Sequence, residues 1–173
     1  MKKNIFYLII LLFFTFIFTI FYIGLDKPNF YTPKELKNKS LEEFTSTELF
    51  SNEQFSSNDI IKNNKFTLIN IWSSWCVPCR LEHSVLMDLS EKTDLNIVGL
   101  NYKDKKNNAI KFLNELGNPF SKILTDPDGI VSISLGAYGV PETFLLNNKS
   151  KIIRKYIGPL TKDNILEIIE IIK

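Results

Sequence analysis

The strongest constraint on the fold is an apolar run that ends in two small polar residues, a tryptophan and a Cys-x-x-Cys sequence. The run covers residues 66–72, and its nearly continuous apolar character is typical of a central β-strand covered on both faces. Cys76 and Cys79 follow it, and they are the only two cysteines of the sequence. The segment 76–92 predicts a helix, because apolar residues recur there at helical spacing. These residues are Leu81, Val85, Leu86 and Leu89. The sequence therefore predicts a strand, a tight turn and a helix, with both cysteines where the helix begins.

The rest of the pattern predicts one α/β domain around this unit. Strands are expected at 44–50 as a sheet edge, at 95–102, around 123–124, and as a hairpin at 143–146 and 152–157. Helices are expected up to Ile61 with Ser56 or Ser57 as cap, at 106–116 with Gly117 as stop, over part of 130–135, and from about Thr161 onward. The order of these elements implies a central mixed sheet, parallel in its first half, with helices on both faces.

The N-terminal segment predicts a membrane-spanning helix. Residues 5–25 carry no charge, and as a helix they would be about 31 Å long, close to the ~30 Å hydrocarbon core of a bilayer. Lys2 and Lys3 precede the segment and favour a cytoplasmic N-terminus, so the rest of the chain would lie across the membrane. A cleaved signal peptide is the alternative, although no cleavage site of the Ala-x-Ala kind follows. We expect a transmembrane signal anchor at 1–25, a linker at 26–40 and a domain at 41–173.

Charge and composition argue against a nucleic-acid partner. The net charge is +2, which Lys2 and Lys3 account for, and no basic stripe with interleaved aromatic residues is present in the sequence. We therefore expect no nucleic acid among the partners.

A cysteine at a helix start has specific chemistry. The first backbone N–H groups of a helix are unpaired and carry partial positive charge, so they stabilise a thiolate. Such cysteines have pKa values of about 3.5 to 7.5, below the reference of about 8.5. Cys76 is thus the predicted nucleophile, with its sulfur exposed, and Cys79 resolves the mixed disulfide from one turn further on. Pro78 suits the first turn because its missing N–H would have no helical partner there.

Three alternative roles for the two cysteines are weaker. A structural disulfide across so short a loop removes little chain entropy. A zinc site needs about four ligands, and two cysteines with the single His83 cannot supply them within one chain. A reduced, inert pair is unusual in an exported domain. We therefore expect thiol-disulfide chemistry, with no metal and no cofactor beyond a redox-active Cys76–Cys79 disulfide.

Two longer motifs indicate which kind of thiol-disulfide protein this sequence encodes. Trp-x-x-Trp-Cys-x-Pro-Cys-Arg-x-Glu-His spans 72–83, and Gly-Ala-Tyr-Gly-Val-Pro-Glu-Thr-Phe spans 136–144. Together they resemble the membrane-anchored thioredoxin-like proteins of cytochrome c maturation, the DsbE/CcmG type. The resemblance covers about 66–158. It implies a thioredoxin-like fold and a dithiol reductant that keeps the haem-attachment cysteines of apocytochrome c reduced. It also implies a membrane thiol carrier that reduces this protein in turn, and an inner-membrane location with the domain on the periplasmic side.

The resemblance also implies roles for individual residues. Pro141 matches the family's cis-proline, so the Val140 backbone would pair with an extended substrate. Glu82 resembles the buried acid beside the second cysteine, and Glu142 the acid after the cis-proline. Either acid, shielded from water, would keep protons on the dithiol. Asn70 stands where ordinary thioredoxins have a buried Asp, which makes Glu82 the candidate for that role.

Other residues near the motifs have weaker assignments. Trp75 is expected to shield Cys76 or to contact the substrate, whereas Trp72 is expected in the core. Tyr138 is expected either to reach the active-site groove or to pack. His83 is expected to be structural or on the surface, and Arg80 to be a solvated helix residue.

The sequence is compatible with two alternative functions. One is a general exported thiol-disulfide reductase or oxidase with other substrates. The other is a non-catalytic module that docks a component of the maturation machinery, such as one involved in haem ligation.

Overall fold

The computed structural model describes residues 2–25 and 39–173, which fall into two units, 1–34 and 35–173. In the first unit, helix α1 (Lys2–Leu25) carries the apolar segment, and its Lys3–Tyr22 portion has a mean hydropathy of 2.6. By length and composition this helix can cross a membrane. Most of the predicted linker, 26–38, lies outside the described residues.

The second unit is built on one seven-stranded mixed sheet. Its strands are β1 (Thr45–Glu48), β2 (Gln54–Ser56), β3 (Phe66–Trp72), β4 (Asn96–Tyr102), β5 (Lys122–Asp126), β6 (Glu142–Asn147) and β7 (Ile152–Ile157). Its helices are α2 (Ser57–Ile61), α3 (Val77–Lys92), α4 (Lys106–Leu116), α5 (Ile130–Ser134) and α6 (Lys162–Ile172). The strand order is β2-β1-β5-β4-β3-β6-β7, in which β3 pairs with β4, and β4 with β5, in parallel. The other pairings are antiparallel.

The predicted mixed sheet with helices on both faces is confirmed, but the predicted edge at 44–50 is wrong. Strand β1 lies between β5 and β2, and β2 forms that edge of the sheet. The sequence did not reveal β2 because it has three residues, too few for an alternating pattern to be read. Before β1, Ser40 forms an isolated bridge with Lys151, so the end of the predicted linker already pairs with the hairpin.

Two apolar clusters fill the two faces of the sheet. Because side chains alternate along a strand, β3 sends Leu68 and Trp72 into the cluster beneath α3, and Ile69 and Ile71 into the opposite cluster. Trp72 is 2% exposed and lies against the rings of Phe112 and Phe120, at centroid distances of 5.0 and 5.6 Å. Its predicted core position is confirmed.

Helix α3 buries a different stripe from the one expected. Leu81 is 72% exposed, so its predicted place on the buried face is wrong. The buried residues of α3 are Cys79, Glu82, His83, Leu86 and Leu89. These follow the i, i+3, i+4, i+7 spacing that starts at Cys79, and Leu81 falls outside that stripe. The second cysteine and the acid three residues later therefore share the face that packs on the sheet.

Candidate active site

Cys76 is the residue from which α3 begins. Its backbone is extended (φ −85°, ψ 108°), and Pro78 occupies the first helical turn. The N–H of Cys79 donates a hydrogen bond to Cys76 Sγ at 3.1 Å. The two sulfurs are joined by a disulfide bond of 2.06 Å. Because Cys76 Sγ lies at the positive end of a 16-residue helix, negative charge that develops on it is stabilised when the disulfide opens.

The prediction that the Cys76 sulfur is exposed does not hold for the oxidised protein. Cys76 is 4% exposed and Cys79 is 2% exposed, and both belong to the cluster beneath α3. Val140 is half-buried and packs against the same cluster. Sequence could not show this burial, because the cluster that encloses the cysteines is assembled from distant parts of the chain.

The turn between β3 and the cysteines is held by Asp104, which sequence reasoning did not identify. Ser74 donates to this carboxylate from its N–H at 2.6 Å and from its hydroxyl at 2.8 Å. Asn101 Nδ2 and the N–H of Lys105 also donate to Asp104. No local signal links Asp104 to Ser74, because parallel pairing of β3 with β4 brings the two loops together.

Trp75 lies on the surface next to Cys76. Its side chain is 57% exposed, and its indole N–H donates to the carbonyl oxygen of Lys103 at 3.0 Å. This hydrogen bond fixes one edge of the ring and leaves a large apolar face open to a partner. Val77 and Pro78, on the first turn of α3, are exposed as well.

Glu82 is a buried carboxyl one helical turn after Cys79. It is 2% exposed and lies on the same helix face as Cys79. Its Oε1 accepts from Asn70 Nδ2 at 2.9 Å, and its Oε2 accepts from the N–H of Leu160 at 2.7 Å. Burial raises the pKa of Glu82 to about 7, even though both hydrogen bonds favour the charged form. Glu82 can therefore hold or release a proton near neutral pH.

Glu142 lies elsewhere, so the expectation that it acts as an acid on the dithiol is corrected. In the β3–β6 register Glu142 faces Ile71, whose side chain belongs to the cluster on the opposite side of the sheet from α3. Its Oε1 accepts from the N–H groups of Tyr138 and Gly139, at 2.7 and 3.1 Å. Its Oε2 lies 2.7 Å from the ammonium of Lys155. Glu142 therefore organises the loop before Pro141 and does not reach the sulfurs.

The peptide bond between Val140 and Pro141 is cis, as the resemblance implied. Pro141 is buried, and its carbonyl oxygen accepts from the N–H of Gly158 at 2.9 Å. Tyr138, two residues before Val140, is 69% exposed, and the Lys155 ammonium lies 4.7 Å from the centre of its ring.

His83 and Arg80 contact α4 and the glycine that follows it. His83 is 3% exposed, its Nε2 lies 3.0 Å from the carbonyl oxygen of Gly117, and burial lowers its pKa. Because a carbonyl oxygen only accepts, Nε2 carries the hydrogen. Arg80 is exposed, forms an ion pair with Glu115 at 3.0 Å and lies over the ring of Phe112. Within 2–25 and 39–173, no group of three or more His, Cys, Asp or Glu is arranged to hold a metal ion.

Comparisons with known proteins agree with this geometry. Residues 36–169 match the Redoxin family. CycY of Rhizobium leguminosarum bv. viciae, a thiol:disulfide interchange protein, is 46% identical over 109 residues, which cover 63% of this chain and 59% of CycY. DsbE-2 of Pasteurella multocida (strain Pm70), whose name also describes a thiol:disulfide interchange protein, is 35% identical over 162 residues, 94% of this chain and 85% of that protein. The matched segment thus spans less than two thirds of CycY and most of DsbE-2.

A solved structure has the same fold as the second unit of this chain. A DsbF homologue from Corynebacterium diphtheriae superposes with a TM-score of 0.68 at 25% identity, over 83% of this chain and 95% of that one. The mixed sheet, the Cys-x-x-Cys at the start of α3 and the cis-proline at position 141 define a thioredoxin-like thiol-disulfide protein. The chain belongs to the Redoxin family and, within it, to the thiol:disulfide interchange proteins of the DsbE type.

Proposed function

We propose that this chain is a membrane-anchored dithiol reductant of the haem-attachment cysteines of apocytochrome c. The observation that carries the proposal is the Cys76–Cys79 pair at the start of α3, with the buried carboxyl of Glu82 one turn beyond Cys79. The helix start stabilises a Cys76 thiolate, and Glu82 holds a proton next to its partner.

The reaction proceeds by two exchanges. The Cys76 thiolate attacks one sulfur of a substrate disulfide, whose S–S bond breaks and releases a substrate thiolate. Cys79, deprotonated with Glu82 as the nearby base, then attacks Cys76 Sγ, which closes the Cys76–Cys79 disulfide and frees the second substrate sulfur. Two electrons pass to the substrate, which leaves with two thiols. No cofactor beyond the cysteine pair takes part.

The family resemblance supports the proposed substrate and partners. The names of CycY and DsbE-2 describe thiol:disulfide interchange, and the two motifs of this chain resemble the proteins of cytochrome c maturation. We assign the disulfide of the Cys-x-x-Cys-His segment of an apocytochrome as substrate, with a haem-ligation component as the alternative partner. The Val140 backbone pairs with the extended peptide, and Trp75, Pro78 and Tyr138 flank it. A membrane thiol carrier reduces the oxidised protein again.

Helix α1 supports the proposed location. Its length and hydropathy suit a membrane span, and the lysines ahead of it favour a cytoplasmic N-terminus. The domain then lies on the periplasmic side of the inner membrane, where c-type cytochromes are assembled.

Trapping tests the proposal directly. In a Cys79→Ser variant of the full chain, Cys76 still attacks but the mixed disulfide cannot be resolved. We expect an adduct that dithiothreitol releases, and we expect mass spectrometry to identify an apocytochrome c joined through its Cys-x-x-Cys-His cysteines. The matched control is the Cys76→Ser/Cys79→Ser variant, which should form no adduct. Capture of many unrelated exported proteins would favour a general thiol-disulfide enzyme, and absence of any adduct would favour a docking module.

A further inference from the structure

Lys155 is a lysine buried on an edge strand. Strand β7 ends the sheet, and lysines on edge strands usually extend into solvent. The side chain of Lys155 is instead 7% exposed, and that of its ion-pair partner Glu142 is 2% exposed. Removing such a pair from water is costly, so both charged groups need further contacts that compensate for the lost water.

The ammonium of Lys155 has several such contacts. Lys155 faces Phe144 across the β6–β7 ladder, and its Nζ lies 5.3 Å from the centre of that ring. The ammonium donates to the carbonyl oxygen of Gly136 at 2.8 Å and lies 2.7 Å from Glu142 Oε2. It also lies 4.7 Å from the centre of the Tyr138 ring, a cation–π distance.

The ion pair holds the loop 136–139 from both sides. Lys155 binds the carbonyl oxygen of Gly136, while Glu142 binds the N–H groups of Tyr138 and Gly139. The loop contains two glycines, and Gly136 has φ of 81°. Its first half is also held by backbone hydrogen bonds from Gly136 N–H to Ile133 and from Ala137 N–H to Ser132, both at 2.9 Å. The hydrogen bonds to Glu142 therefore restrain Tyr138 and Gly139, the part of the loop that leads into Val140 and Pro141.

We propose that Lys155 is a positioning residue for the peptide around the substrate disulfide. This inference rests on the proposed reductase function. Paired with Glu142, Lys155 fixes the loop 136–139 and therefore the Val140 backbone along which the substrate peptide lies. Lys155 does not act on the sulfurs, because Glu142 lies across the sheet from α3.

The test compares one disulfide that can form backbone hydrogen bonds with Val140 and one that cannot. A disulfide-bonded Cys-x-x-Cys-His peptide has amides that can pair with Val140, whereas 2-hydroxyethyl disulfide has none. The second-order rate constant of the reduced full-length protein in detergent micelles is measured with each, and their ratio gives the preference for the peptide. We expect Lys155→Met to lower this ratio about tenfold, because misplacing a positioning segment by about an ångström costs up to two orders of magnitude in rate.

Two further variants serve as controls for Lys155→Met. Lys149→Met changes an exposed lysine in the β6–β7 turn and should leave the ratio unchanged. Lys155→Met/Glu142→Gln should lose less than Lys155→Met, because the new amide at position 142 keeps a carbonyl that can accept from the loop and leaves no unpaired buried charge. If Lys155→Met does not fold, the double variant is compared with the wild type instead. Its ratio of rate constants must then be lower than that of the wild type.

The outcomes separate this inference from the proposed function. A wild-type protein that reduces neither disulfide refutes the reductase function, and the inference falls with it. The positioning role alone is refuted if the wild type prefers the peptide but the Lys155 variants have the same ratio of rate constants. It is also refuted if the Lys155 variants lower both rate constants by the same factor.

Discussion

Replacement of the Glu82 carboxyl by an amide should change how stability depends on pH. Burial raises the pKa of Glu82 from an ordinary value of 4.5 to about 7 in the folded protein. Between these two pH values the folded state holds a proton that the unfolded state has lost. The free energy of unfolding therefore falls as pH rises through this window. At 1.36 kcal/mol per pKa unit, the total loss by the time the pH is above 7 is about 3 kcal/mol.

Glu82→Gln removes this proton and its pH dependence. The substituted side chain is neutral at every pH, and its single carbonyl can accept from Leu160 N–H as Glu82 does now. Its amide N–H needs a new acceptor, and Asn70 Oδ1, which is buried and has no hydrogen-bond partner among the described residues, can provide one after the Asn70 amide turns over. As pH rises from about 4 to 8, the free energy of unfolding of the wild type should therefore fall by about 3 kcal/mol relative to that of Glu82→Gln.

Urea unfolding of the oxidised full chain in detergent micelles measures this difference. Trp72 and Trp75, the two tryptophans of the sequence, both lie in the second unit, so tryptophan fluorescence follows that unit alone. Glu91→Gln is the matched control, because Glu91 is an exposed glutamate on the same helix. The reasoning is refuted if the difference between wild type and Glu82→Gln is the same at pH 4 and pH 8.

Two further variants test local structure. Asp104→Ala should lower the free energy of unfolding by about 1–3 kcal/mol and slow disulfide exchange, because it removes the acceptor that holds Ser74 ahead of Cys76. Exposed Asp128 provides the control variant Asp128→Ala, and equal effects of the two changes would contradict this role. Thr161→Ala should cost about 0.5–2 kcal/mol in urea unfolding, because the Thr161 hydroxyl caps α6 through the N–H of Asn164. A change within the usual surface range of about ±0.5 kcal/mol would show that this cap contributes little.

The features that sequence predicted well are local. The apolar run of β3, the start of α3 at Cys76, the cap at Ser56, one of two serines predicted, and the start of α6 near Thr161 each depend on residues within a few positions of one another. The hairpin of β6 and β7 was predicted for the same reason.

The features that sequence missed depend on contacts between distant segments. Cys76 is buried within a cluster built from distant segments, and Asp104 reaches the active-site turn only because β4 lies beside β3. Glu142 was expected near the sulfurs because it follows the cis-proline. Alternation along β6 instead sends its side chain to the other face of the sheet, where it meets Lys155. Which face a residue occupies follows from the register, and a single sequence does not provide the register.

The measurement that tests the central claim most directly is the reduction potential of the Cys76–Cys79 pair. The full chain in detergent micelles is equilibrated with mixtures of reduced and oxidised glutathione, and the fraction of disulfide is measured by thiol alkylation. A protein that donates electrons to an apocytochrome disulfide must have a lower potential than that disulfide, so we expect a value nearer the roughly −270 mV of thioredoxin than the oxidising end of the range. A value near the about −120 mV of a strong oxidant such as DsbA would contradict the account.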